Sequence, residues 1–339
     1  MYKNILVSQV KHIGDAIFTT GSIQILKKRF PEAKIYLLVL PHIEPLFYQH
    51  ELLEGVLVLN YNSKKTSAIE MFRFSQELKN YNFDLMISYD YKPRPLILGF
   101  LAGIKERWAG YVYERQDKNI VLKFSTRFLR TNYDENTIHQ SEIFRRFTVG
   151  LLEKDYSLEP NSLPQPTKIN IDKWEKTFKS TKKKIIFCVR GTHYSKNWSK
   201  IKFAKLLDRC AANGFECVIL GANLDYYYIE EIKELCFSNP KNIAGKTSLQ
   251  DLTSLFAVFD LLVSVDTGTG HIAATTDIPI ITIFLGSNPA KWRPISKNSY
   301  VICSKENEDA INKTGNNIYI KDRVDVDDVY KLIEEIIFS

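Results

Sequence analysis

Short runs of residues that are apolar from end to end recur along the chain. NILVSQV (4–10), AKIYLLVL (33–40), GVLVLN (55–60) and DLMISY (84–89) come early, separated by longer stretches with helical spacing. KKIIFCVR (183–190), FECVILG (215–221), LLVSVD (261–266) and IPIITIFLG (278–286) repeat the rhythm later, with helices expected near 201–213, 225–237 and 249–258. A strand that is apolar on both faces must be covered on both faces, and strand and helix alternating at this spacing build parallel βαβ units. The pattern confines the chain to the α/β class with doubly wound parallel sheets. Its 339 residues exceed what one small core organises, so two Rossmann-like domains are expected to face each other across a cleft.

The rhythm breaks at EKDYSLEPNSLPQPTK (153–168), which has three prolines and no apolar periodicity. This places a linker at about 156–168, an N-terminal domain at 1–155 and a C-terminal domain at 169–339. The final segment VDDVYKLIEEIIF (326–338) has helical spacing and is expected to form a terminal helix able to pack back on the first domain. In sheets of this kind ligands bind outside the carboxyl ends of the strands, so the polar residues at those ends are the candidates for chemistry.

Composition removes several classes. The longest apolar stretches, LILGFLAGI (96–104) and IPIITIFLG (278–286), fall short of the roughly 18 residues of a membrane-spanning helix. The chain runs directly into a strand without the basic and small-residue signals of a secretory leader, so a cytoplasmic protein is expected. Five cysteines (Cys188, Cys210, Cys217, Cys236, Cys303) lack any C-x-x-C pair and read as reduced thiols rather than a disulfide or zinc framework. The net charge of +7 is modest, and no nucleic-acid partner is expected. It is uneven, however: from Lys92 to Arg130 nine Lys or Arg stand against three acids, interleaved with Tyr111, Tyr113, Phe124 and Phe128. That stretch suits an anionic surface or substrate, or simply a solvated face with aromatic anchors.

Four strand ends carry candidate residues. Asp15 follows the first strand at a helix start, where it either caps the helix or projects a carboxylate to a ligand. The surrounding sequence lacks the G-x-G-x-x-G loop of a standard dinucleotide site, which argues against an oxidoreductase. In VRGTHYSKNWS (189–199), Thr192 and Lys196 are either phosphate contacts or ordinary surface residues beside a structural Trp198. Asp225 in LGANLD is a helix cap or an acceptor for a ribose diol. In SVDTGTGHIAA (264–274), Asp266, Thr267, Gly268 and His271 sit where glycines let the main chain approach a ligand and exposed N–H groups attract a diphosphate.

These segments together resemble the heptosyltransferases of bacterial lipopolysaccharide core assembly, glycosyltransferase family 9. The resemblance rests on NILVSQVKHIGDAIFTTGSIQILKKRFPEAKI, on THYSKNW and above all on LLVSVDTGTGHIAATTDIPIITIFLGSNPAKWRP. It implies a GT-B fold with the acceptor on the first domain and the nucleotide sugar on the second. It also implies inverting transfer without a metal or other cofactor, typically from ADP-L-glycero-D-manno-heptose to a core sugar on a glycolipid at the cytoplasmic face of the inner membrane. By motif, Asp15 matches the proposed base, Thr192 and Lys196 the phosphate contacts, and Asp266, Thr267, Gly268 and His271 the donor loop; Asp225 matches an acid near the nucleoside. The chain departs from the family in having Gln9 where a Lys or Arg is usual, Lys11 and His12 ahead of Gly14-Asp15, and one threonine in the phosphate turn. Another sugar pair, including a capsule or glycoprotein acceptor, and a non-catalytic nucleotide-sugar-binding module are therefore kept as alternatives. The DVD triplet at 325–327 is expected to start a helix rather than bind a metal.

Overall fold

The computed structural model describes residues 2–60, 68–90, 92–112, 123–131, 137–304, 317–321 and 323–338. It divides into two compact units between Pro164 and Gln165.

The first unit is one parallel sheet of six strands in the order β3-β2-β1-β4-β5-β6. The strands are β1 (Asn4–Ser8), β2 (Lys34–Val39), β3 (Gly55–Val58), β4 (Leu85–Ser88), β5 (Glu106–Val112) and β6 (Arg127–Thr131). In β1, Ile5, Leu6 and Val7 are wholly buried, as a strand covered on both faces must be. Leu6, Leu38 and Met86 share a core with Leu78 of α2 (Ala68–Lys79) and Leu98 of α3 (Pro93–Leu101). Alternation turns the neighbours of Leu6 to the opposite face. Helix α1 (Ile13–Arg29) packs against the helix Gln140–Leu152, whose Phe147 lies so close to Gly110 of β5 that an added Cβ would stand 2.2 Å from its ring. α1 is buried without a break from Gly14 to Ile23, and its two buried threonine hydroxyls bond within the helix: Thr19 Oγ1 donates to Asp15 O at 2.9 Å and Thr20 Oγ1 to Ile17 O at 2.6 Å.

Residues 159–163, inside the stretch expected to link the domains, lie along α1. Gln24 Nε2 donates to Pro160 O at 2.5 Å, Lys28 pairs with Glu159 at 2.6 Å, and Ser162 N donates to Thr20 Oγ1 at 2.9 Å. Gly21 makes this approach possible, because a Cβ there would meet Glu159 O at 2.8 Å. Leu163 is buried, and the imidazole of His50, itself buried, contacts Ser162 O at 3.2 Å.

The second unit is a parallel sheet of seven strands in the order β13-β12-β11-β10-β7-β8-β9. These are β7 (Lys184–Cys188), β8 (Glu216–Leu220), β9 (Lys241–Asn242), β10 (Leu261–Val265), β11 (Ile280–Phe284), β12 (Ser299–Ser304) and β13 (Ile318–Lys321). Counted within each unit, both sheets follow the order 3-2-1-4-5-6, the second adding one edge strand. This is the doubly wound dinucleotide-fold order, and it reverses direction between the unit's first and fourth strands. The core joins Ile185, Phe187, Ile219, Val263 and Ile281 to Phe203 and Leu207 of the helix Lys200–Ala212.

The C-terminal helix Val326–Ile337 packs on the helix Lys200–Ala212 of the same unit, burying Val329, Tyr330, Leu332 and Ile333. The DVD acids serve its start: Asp325 pairs with Lys202, Asp327 with Arg209, and Asp328 Oδ2 accepts from Asp325 N at 3.4 Å. The five cysteines are free thiols, four buried and Cys236 partly so. Of the basic stretch 92–130, residues 113–122, with Tyr113, lie outside the described residues. Arg107 is committed to structure there, its Nε donating to Phe124 O at 2.7 Å and its guanidinium to Ile104 O and Lys105 O. Among the described residues no helix is long and apolar enough to cross a membrane.

Candidate active site

Each unit presents polar residues at its own switch point. In the second unit this lies between β7 and β10, which are paired from Leu261↔Ile185 to Ser264↔Cys188. Beyond the last pair the chain of β10 delivers Asp266 and the chain of β7 delivers the turn 190–197. Lys196 Nζ reaches Asp266 Oδ2 at 2.6 Å, with the carboxylate side chain only 6% exposed. The same oxygen accepts from Ser287 Oγ at 2.5 Å, so the loop after β11 joins the cluster. The geometry is tight. Gly191 N donates to Asn197 Oδ1 at 2.7 Å, and a Cβ on Gly191 would stand 3.1 Å from Lys196 Cβ and 3.2 Å from Asp266 O. A Cβ on Gly286 would overlap Ser195, at 2.6 Å from Oγ. The loops following β7, β10 and β11 are therefore interlocked through positions where side chains do not fit.

His271, in the short helix Gly268–Ala273, is buried. Burial pushes its imidazole down to about 4, opposed by the charge of Asp266 and assisted by that of Lys196, so the ring is neutral near pH 7. A neutral imidazole beside a lysine-carboxylate pair can exchange hydrogen bonds with a ligand without adding charge. Thr267 caps this helix in extended conformation, and Thr267 and Gly268 are partly exposed at its start. Thr192 is exposed in the turn after β7.

Asp225 lies at the neighbouring strand end, after β8. Its Oδ2 accepts from Ala222 N at 2.9 Å, the capping role, while its Oδ1 pairs with Arg190 Nη1 at 3.0 Å. Arg190 Nη1 also donates to Leu224 O at 3.2 Å. Asp225 thus carries a structural role and a charged partner at once.

In the first unit the switch point lies between β1 and β4, paired to Ser8↔Ser88. Asp15 occupies the first turn of α1 and is 5% exposed. Asp90, just past β4, is wholly buried. Its carboxylate accepts from Ser8 Oγ at 2.6 Å and from Val10 N at 2.5 Å. Burial pushes Asp90 up to about 6, with Ser8, Val10 N and Lys11 opposing and the charge of Asp15 adding to the rise. Gln9 is wholly buried, with Nε2 3.4 Å from Thr19 Oγ1.

The structure brings Lys196, Asp266 and His271 together, with Thr192, Thr267 and Gly268 on the adjoining turns and Asp225 one strand away. Ser287, Arg190 and Asn197 join them without having been singled out. Arg190 and Ser287 stand within three residues of a parallel strand's carboxyl end and Asn197 in the turn that follows β7, and that position was the available signal.

Two all-parallel doubly wound sheets in one chain, each with polar residues at its switch point, match the GT-B architecture of solved heptosyltransferases. A family 9 glycosyltransferase from Veillonella parvula superposes with a TM-score of 0.83 at 20% identity, covering 99% of this chain and 97% of that one. Residues 71–319 match the model of glycosyltransferase family 9 (heptosyltransferase), and the chain belongs to that family. The lipopolysaccharide core heptosyltransferase OpsX of Haemophilus influenzae is 23% identical over 302 residues, 88% of this chain and 84% of that protein. The Escherichia coli heptosyltransferase WaaC with ADP-2-deoxy-2-fluoro heptose superposes with a TM-score of 0.72 at 18% identity, covering 98% of this chain and 99% of WaaC.

Proposed function

We propose that the protein transfers heptose from ADP-heptose to a sugar hydroxyl of the lipopolysaccharide inner core, with inversion and without a metal. The donor is assigned to the second unit and the acceptor to the first. The observation that carries this reading is the ion pair of Lys196 with Asp266, 2.6 Å apart at the switch point of the second sheet. A diphosphate arriving there competes with Asp266 for the lysine. Family membership, the core heptosyltransferase OpsX among the relatives and the donor analogue on WaaC support heptose as the sugar and ADP as its carrier.

In this reading Asp15 takes the proton of the acceptor hydroxyl as its oxygen bonds to the anomeric carbon. The bond from that carbon to the diphosphate breaks, its electron pair leaves with ADP, and Lys196, Thr192 and the main-chain N–H groups of 267–269 stabilise the growing charge. One displacement from the opposite face inverts the anomeric centre. Asp225 holds the ribose diol from the neighbouring strand end.

Wild-type protein given ADP-heptose and a truncated core saccharide is expected to release ADP at the same rate with and without EDTA. NMR of the product should show an inverted anomeric centre. Retained configuration, or loss of turnover on chelation, refutes the mechanism; no transfer from ADP-heptose refutes the donor. Gln9 favours a second reading of the acceptor, because a neutral side chain stands where the family usually has a cation. Assaying carboxylated, phosphorylated and neutral core saccharides separates the two.

We infer also that the protein works at the cytoplasmic face of the inner membrane, with exposed Lys92, Lys105 and Lys123 favouring an anionic bilayer. Co-sedimentation with anionic but not neutral vesicles is expected, and equal recovery with both would refute it.

A further inference from the structure

We propose that Asp90 is the positioning residue for Asp15: from the end of β4 it grips the loop that leads into α1, and its negative charge acts on the carboxylate that α1 carries. This rests on the reading of Asp15 as the base.

The grip is made of three donors on one buried group. Asp90 Oδ2 accepts from Ser8 Oγ at 2.6 Å and faces Ser88 Oγ at 3.4 Å, while Oδ1 accepts from Val10 N at 2.5 Å. Ser8 ends β1, Val10 begins the connection, and α1 starts three residues later with Asp15 in its first turn. Fixing Val10 therefore fixes the entry of the helix that carries Asp15.

Hydrogen bonding alone does not require an acid. An asparagine would accept from Val10 N and donate to the Ser8 hydroxyl, which is both donor and acceptor. A carboxylate at zero exposure carries a desolvation penalty that an amide avoids. The charged groups facing Asp90 are Lys11 and Asp15, one favouring its ionised form and the other opposing it. The opposition is mutual: an ionised Asp90 raises the proton affinity of Asp15, which makes Asp15 a stronger base near neutral pH. As Asp90 titrates around 6, this assistance is gained as pH rises through that region.

The test compares wild type, Asp90→Asn, Ser8→Ala and Asp15→Asn by carboxyl NMR titration of Asp15 where present and by the pH dependence of kcat/KM with ADP-heptose and a truncated core saccharide. In Asp90→Asn the Asp15 carboxyl is expected to titrate lower by about one pH unit. The acid limb of kcat/KM should move the same way, and kcat should fall about 3- to 10-fold with KM unchanged. Ser8→Ala removes a donor that favours the ionised form of Asp90 and so reduces, without abolishing, its charge near neutral pH; it should move both in the same direction by less. An Asp15 carboxyl that titrates as in wild type in both variants overturns the proposal. Full activity in Asp15→Asn defeats the reading of Asp15 as base; an inactive Asp15→Asn with unmoved titrations defeats the role of Asp90 alone.

Discussion

Replacing Lys196 by alanine probes the proposed donor site most directly. With the lysine present, its ammonium and the Asp266 carboxylate form a pair with no net charge, 2.6 Å apart, the side chains 27% and 6% exposed. Lys196→Ala leaves a buried carboxylate that still accepts from Ser287 but has lost its cation, so the incoming diphosphate loses one attraction and faces an uncompensated negative charge. At about 5 Å and an effective dielectric of about 20, one such charge contributes roughly 3 kcal/mol. Partial exposure of the lysine and salt reduce this to about 2 kcal/mol. The expected loss in kcat/KM is therefore about 30-fold. ADP release measured at low and high salt gives the number, and thermal melting checks that the fold is intact. Lys196→Ala combined with Asp266→Asn removes the repulsion and should recover about tenfold of the loss, because the two positions share one interaction. Activity within threefold of wild type in the single variant, or a double variant no better than the single one, would refute the reasoning.

Asp225→Ala should raise the donor KM about 3- to 10-fold with kcat little changed, since the acid is assigned to a part of the donor remote from the reacting bond; initial rates over a donor series test it. Gly110→Ala forces a methyl within 2.2 Å of the Phe147 ring and should destabilise the first unit by about 1–3 kcal/mol, seen as a lower urea midpoint. Burial lowers His271 in the folded chain to about 4, against 6.5 for an unperturbed histidine. The unfolded chain therefore takes up a proton that the folded one refuses, and stability falls as pH drops through this window. Between pH 7 and pH 5 the loss from this one group is about 2 kcal/mol. Urea titrations of wild type and His271→Gln at the two pH values should show a smaller difference in the variant, and equal pH sensitivity would contradict it.

The strands nearest each switch point were legible because they are covered on both faces and so are apolar throughout: β1, β2, β4, β7, β8, β10 and β11 each fall inside a run quoted from the sequence. β5, β6 and β13 were not read as strands. Glu106 and Arg107 break the apolar signal at the start of β5 and Arg127 at the start of β6, and only in the structure does Arg127 stack over Trp108 at 5.3 Å. Residues 159–163 have the proline content of a linker, yet they lie on α1 because Gly21 has no side chain. Sequence can mark Gly21 as small but not say what fills the space. In the site, Asp266 and Lys196 were each visible beside a strand end. Their pairing depends on β7 and β10 being neighbours despite standing first and fourth in their unit, a fact of topology. Ser287 was harder still, since a serine after a strand is ordinary until its partner is known; Asp90 was visible at a strand end as an acceptor contact or a surface turn, but not as the buried grip on Ser8 and Val10.

The mutual fit of Gly191, Gly286, Ser195 and Asp266 has an evolutionary corollary. A mould cast from three loops admits few substitutions, because widening one wall displaces the other two. The end of the pocket that would grip phosphate is thus poorly suited to gradual change. The stretch Leu224–Tyr227, by contrast, leaves Leu224 and Tyr227 largely open to solvent. If descendants of this scaffold come to accept a different nucleobase, the alterations should accumulate along that margin while the lysine and its carboxylate stay as they are.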